Sequence, residues 1–125
     1  GVVQAGSGEP GTATRLELLD EGEVDRALRN PLNDVTLRVI AYDKSPRNEE
    51  RAWAAHDYLR EKRFPVARPY VTQESIFIFV GAAPSTKDLE MLMNRVQELP
   101  APDNPQVFPF SEAYMVNIDD VPDLR

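Results

Sequence analysis

A chain of 125 residues and 14.1 kDa, 42% hydrophobic and 28% charged, has the composition of one globular domain with one core, and no stretch approaches the roughly 20 apolar residues that cross a bilayer. The absence of cysteine excludes disulfides, thiol nucleophiles and thiolate metal sites together. The net charge of -7 sits on the flanks: six acidic against three basic residues in 1–33, ten against ten in 34–99, and five against one in 100–125, so no basic stripe is present to neutralise phosphates and nucleic acid is not an expected partner.

Residues 1–14, with four glycines among small and polar residues, have too little to bury to offset the entropy of ordering them, and read as a flexible lead. Gly1 in place of methionine points to a mature fragment left after removal of a targeting segment. Leu16, Leu18 and Leu19, then Val24, Ala27 and Leu28 at one-face helical spacing, predict a short helical arm that stops at Asn30 and Pro31 and packs on the main domain. The arm and lead make up residues 1–33, the main domain residues 34–118, and an acidic tail residues 119–125.

The run from Val35 to Tyr42 alternates and is rich in β-branched residues, which predicts a strand with Leu37, Val39 and Ala41 on one face and Thr36, Arg38 and Ile40 on the other. A helix should open near Pro46, with Glu49 and Glu50 at its positive end, bury Ala52, Ala55, His56 and Leu59, and stop near Lys62 and Arg63 ahead of Pro65. Residues 66–71 read as a strand broken by Pro69, and Ile76 to Val80 as the strongest strand of the chain, closed by Gly81. Ser85 predicts the N-cap of a second helix, with Asp88 reciprocating, and Leu89, Leu92, Met93, Val96 and Leu99 form its apolar stripe. Four prolines between 100 and 109 predict an extended connection, and residues 113–118 a closing strand.

The stretch Phe79-Val80-Gly81-Ala82-Ala83-Pro84-Ser85, followed by Asp88-Leu89, resembles the strand-to-helix junction of SPOR (sporulation-related repeat) domains. So does Leu59-Arg60-Glu61-Lys62-Arg63-Phe64-Pro65-Val66, although Arg63 stands where that family has a glycine before the aromatic. The resemblance covers residues 34–118. It implies an α+β fold of the ferredoxin-like βαββαβ type: a four-stranded antiparallel sheet with two helices on one face. It also implies a non-catalytic protein of the bacterial cell envelope or periplasm, whose free sheet face binds peptidoglycan glycan strands stripped of their stem peptides. Arg38 stands where many members have a glutamine, and Ser75 and Phe77 where some place an aromatic and an arginine, so the positions expected to touch sugar differ.

With Leu37, Val39, Ile76, Ile78 and Val80 beneath the helices, alternation sends Arg38, Ile40, Phe77 and Phe79 to the opposite face. Those rings would bury the CH-rich side of a sugar, Arg38, Thr36 or Asn117 would bond hydroxyls or a carboxylate, and Tyr70 and Tyr114 are further candidates, each with a wet hydroxyl. The alternative is that the arm folds over that face and completes a second core, or that the face pairs with a protein partner or a second copy of the chain. A small-molecule regulatory role rests on fold analogy alone. No catalytic set is assembled: His56 is the single histidine, Ser45 has no adjacent base, and Glu49 with Glu50 and Asp119 with Asp120 are neighbours that point apart. Trp53 reads as packing or cover for a sheet edge. No metal or cofactor is expected, since the acidic tail lacks the spacing of a calcium loop.

Overall fold

The computed structural model describes residues 21–124, so Leu16, Leu18, Leu19 and the glycine-rich lead lie outside the described residues. In chain order these form α1 (Glu21–Arg29), β1 (Val35–Asp43), α2 (Pro46–Glu61), β2 (Tyr70–Val71), β3 (Ser75–Ala83), α3 (Glu90–Gln97) and β4 (Tyr114–Asn117), with 3₁₀ turns at Thr86–Leu89 and Ile118–Asp120. The four strands make one antiparallel sheet in the order β2-β3-β1-β4, an α+β arrangement.

Helix α2 begins where its caps dictate. Ser45 is extended, its Oγ accepts the Asn48 backbone N–H at 3.1 Å, and Pro46 fills a position whose own N–H would have no helical partner. Its other end is a Schellman motif: the Phe64 N–H reaches the Leu59 carbonyl at 2.9 Å and the Arg63 N–H the Arg60 carbonyl at 3.0 Å. That motif needs a left-handed residue, and Arg63 supplies it at φ 68. The second helix is shorter than the apolar stripe predicts. Ser85 Oγ bonds the Asp88 carboxylate at 3.1 Å instead of capping a backbone N–H, and a 3₁₀ turn precedes α3.

The predicted stripes meet on one side of the sheet. Leu37, Val39, Ile76, Ile78 and Val80 share a core with Ala52 and Leu59 of α2, with Leu89 before α3 and with Val96 of α3, while Leu92, Met93 and Leu99 pack at its margin. His56 is fully buried on the inner side of α2, with Nδ1 2.9 Å from Asp57 Oδ1, and Trp53 lies edge-on to it at 5.0 Å and is 44% exposed.

Two β-bulges depart from simple alternation. Between Arg38 and Ile40 the register slips by one, so Val39 and Ile40 both turn toward the helices; Ile40, expected on the opposite face, packs against the α2–α3 core, and Ala41 takes the opposite face across from Phe77. The second lies at Gly81, which does not close β3 as expected but continues it at φ 68. A Cβ there would come within 2.9 Å of Leu92 Cδ2. Thr36 faces this bulge and is fully buried, its hydroxyl 2.5 Å from the Gly81 carbonyl, which corrects its expected orientation to solvent or a partner.

Candidate functional site

Beneath the sheet, on the side away from α2 and α3, sits a second core. Val24 and Leu28 of α1, Ala67, Phe79 and Ile118 are buried together, with Val121 and Leu124 of the tail packed on them. The arm therefore covers part of the face predicted to be free. Phe79 is 0% exposed and belongs to this core, so it offers no contact to a ligand.

What α1 leaves uncovered is one row of side chains crossing all four strands. Tyr70 of β2 stacks on Phe77 of β3, with ring centroids 6.5 Å apart and planes 20° from parallel. The Arg38 guanidinium of β1 lies 4.9 Å from the Phe77 ring centre and 4.8 Å from that of Tyr114 on β4, directly opposite Arg38 in the ladder. A guanidinium held between two rings gains cation–π attraction from both and keeps its edge N–H groups free for an acceptor. Among the described residues no carboxylate pairs with it.

A cleft opens at each end of the row. One of about 590 Å³ lies over Phe77 and Tyr70, between the β2–β3 turn bearing Glu74 and the tail at Val121, Pro122 and Asp123. The other, of about 320 Å³, is lined by Arg38, Ala41, Tyr114, Pro109, Ser111 and Glu112. The arrangement is thus an aromatic floor with one central cation and carboxylates or hydroxyls at both ends. Such a surface stacks on CH-rich rings, receives one anionic group at Arg38 and accepts hydrogen bonds from hydroxyl donors at either side.

Of the remaining predicted contacts, Asn117 is not brought to the row. It pairs with Val35 and shares the alternation of Met115, which packs toward the helices, so it sits exposed at the sheet's other side. Tyr70 is half-buried, and its hydroxyl donates to the Pro122 carbonyl at the surface, tying the tail to the β2 edge. Burial, reinforced by the Asp123 carboxylate, holds that phenol above the ordinary tyrosine value of 10.0. The tail and the Pro109–Ser111–Glu112 wall were missed by sequence reasoning, and the run of four prolines was the available sign that this connection is shaped.

Among the described residues there is no cluster of histidine, cysteine, aspartate or glutamate able to hold a metal, and no helix long and apolar enough to cross a membrane. Comparison with protein-family models, curated proteins and solved structures finds no match to this chain.

Proposed function

We propose that the domain is a non-catalytic binding module that takes an acidic glycan along the Tyr70–Phe77–Arg38–Tyr114 row. The observation that carries it is the Arg38 guanidinium, sandwiched at 4.9 and 4.8 Å between two rings and lacking a carboxylate partner among the described residues. Pyranose rings present CH-rich faces to Phe77 and Tyr114, a sugar carboxylate meets Arg38, and hydroxyls meet Glu74, Asp123 or Glu112 at the ends.

The resemblance to SPOR domains narrows the class to peptidoglycan glycan strands lacking stem peptides, whose muramic acid residues carry a free carboxylate at regular spacing. The strand order β2-β3-β1-β4 supports this, since it is the order of a ferredoxin-like βαββαβ sheet. Such a domain works in the bacterial cell envelope. Sedimentation with purified peptidoglycan sacculi is the test: the wild type co-sediments, and Phe77→Ala and Arg38→Ala, each shown folded by circular dichroism, stay in solution. Equal binding by folded variants and wild type, or no binding by the wild type, overturns the proposal.

A further inference from the structure

We infer that the flank of β1 over residues 39–42, ending where the Asp43 carbonyl accepts from Asn48 Nδ2 at 2.7 Å, is a docking edge for the carboxyl-terminal segment of another protein, bound as an added antiparallel strand. Strand β1 pairs with β3 from Val35↔Ala83 to Asp43↔Ser75, but with β4 only from Val35↔Asn117 to Arg38↔Tyr114. Beyond Arg38 the β4 side of this central strand has no strand beside it, and no backbone hydrogen bond among the described residues reaches Val39, Ile40, Ala41 or Tyr42 from that side. Unpaired N–H and C=O groups in a row are a template for another extended chain, and folded proteins usually cover or blunt them.

The gap is built into the fold. Phe110 is buried in the helix-side core, the Ala113 N–H turns back to the Phe110 carbonyl at 3.0 Å, and Gln97 Nε2 holds the Ala113 carbonyl at 2.8 Å. These anchors keep the incoming chain away from β1 until Tyr114 and leave the cleft of about 320 Å³, with the small exposed Ala41 along its floor. Four residues of strand span about 14 Å, room for about four residues of an added peptide.

An alternating row of donors and acceptors matches an extended backbone; a helix, whose backbone groups are already satisfied, cannot use it. The end of the site selects the occupant. A strand running antiparallel to β1 in line with β4 arrives with its carboxyl terminus against Tyr114 and beside Arg38, which lines the same cleft and has no carboxylate partner among the described residues. A terminal carboxylate completes it.

The inference goes beyond the glycan proposal but shares Arg38 with it, so the experiment reads backbone amides that a glycan on the row does not cover. The whole protein, labelled with ¹⁵N, is titrated with the free-acid peptide acetyl-Thr-Val-Thr-Val-Leu, its C-terminal amide, and two versions N-methylated at alternate peptide bonds. Expected are shifts and slowed amide exchange confined to residues 39–42 and 110–114, about tenfold weaker binding of the amide, as befits one lost charge-assisted bond, and loss of binding for one methylated version only. Four results overturn the inference: no shift at millimolar peptide, shifts centred on Tyr70 and Phe77, equal binding by both methylated peptides, or a flank already protected in the free protein in proportion to its concentration, which would assign it to a second copy of the chain.

Discussion

Replacing Thr36 by valine keeps the shape of a fully buried side chain and removes its one polar atom. The hydroxyl proton now goes to the Gly81 carbonyl at 2.5 Å, with the Val80 carbonyl beside it at 3.3 Å. Both carbonyls lie at the bulge, where two residues of β3, Gly81 and Ala82, face Thr36 alone, so the regular pairing is interrupted there. Losing this buried hydrogen bond costs about 1–3 kcal/mol. For a domain of this size that lowers Tm by roughly 4–12 °C, at about 4 °C per kcal/mol. Thr36→Ser, which retains the hydroxyl and loses one methyl, should cost about 1 kcal/mol or less. Urea unfolding of the three proteins, followed by far-ultraviolet circular dichroism, separates the two effects. A valine variant as stable as the wild type would refute the idea that the threonine hydroxyl secures this bulge.

The two phenylalanines should part company: Phe79→Ala empties the core under α1 and costs about 3–5 kcal/mol, whereas Phe77→Ala, at a partly buried ring on the margin of that core, costs about 1–2 kcal/mol in the same urea assay. Arg63→Gly relieves a left-handed backbone at φ 68 and, after the extra freedom glycine has when unfolded, should stabilise the domain by about 0.5–1 kcal/mol, read as a higher urea midpoint. Tyr70, raised by burial and by Asp123, and Tyr42, raised by burial against the opposing effect of Arg51, should ionise above the ordinary value of 10.0 in an ultraviolet titration. Because their folded values exceed the unfolded one, their contribution to stability is intact below pH 10 and is lost as pH climbs from there through the folded values.

Much of the layout was legible because it depends on local periodicity. The alternation of Ile76, Ile78 and Val80 and the three-and-four spacing of Leu89, Leu92, Met93 and Val96 each state which face is buried, and Ser45-Pro46 states where α2 begins. The bulges were less so. Gly81 inside a strand pattern is a recognised sign of a bulge as well as of a strand end, and only the pairing with β1 decides between them. The slip at Val39 carries no glycine at all, which is why Ile40 was assigned to the wrong face. Phe77 and Phe79 have the same parity and chemistry, and they differ only because α1, some fifty residues earlier, lies over one of them. Asn117 failed for a simpler reason: it stands one residue out of phase with Tyr114 and Val116. Position 63 has the left-handed backbone that favours glycine but carries an arginine, so residue type alone did not disclose that turn.

If Arg38, sandwiched between Phe77 and Tyr114 and without a carboxylate partner among the described residues, receives the carboxylate of an acidic glycan as proposed, that charge must matter to binding. Titration of the ¹⁵N-labelled protein with peptidoglycan glycan fragments lacking stem peptides, in parallel with the same fragments reduced at the muramic carboxylate, reads this residue by residue. Expected are shifts at Tyr70, Phe77, Arg38 and Tyr114, with weaker binding of the reduced sugar. Shifts on the outer surfaces of α2 and α3, or equal affinity for charged and reduced fragments, would rule the proposed glycan site out.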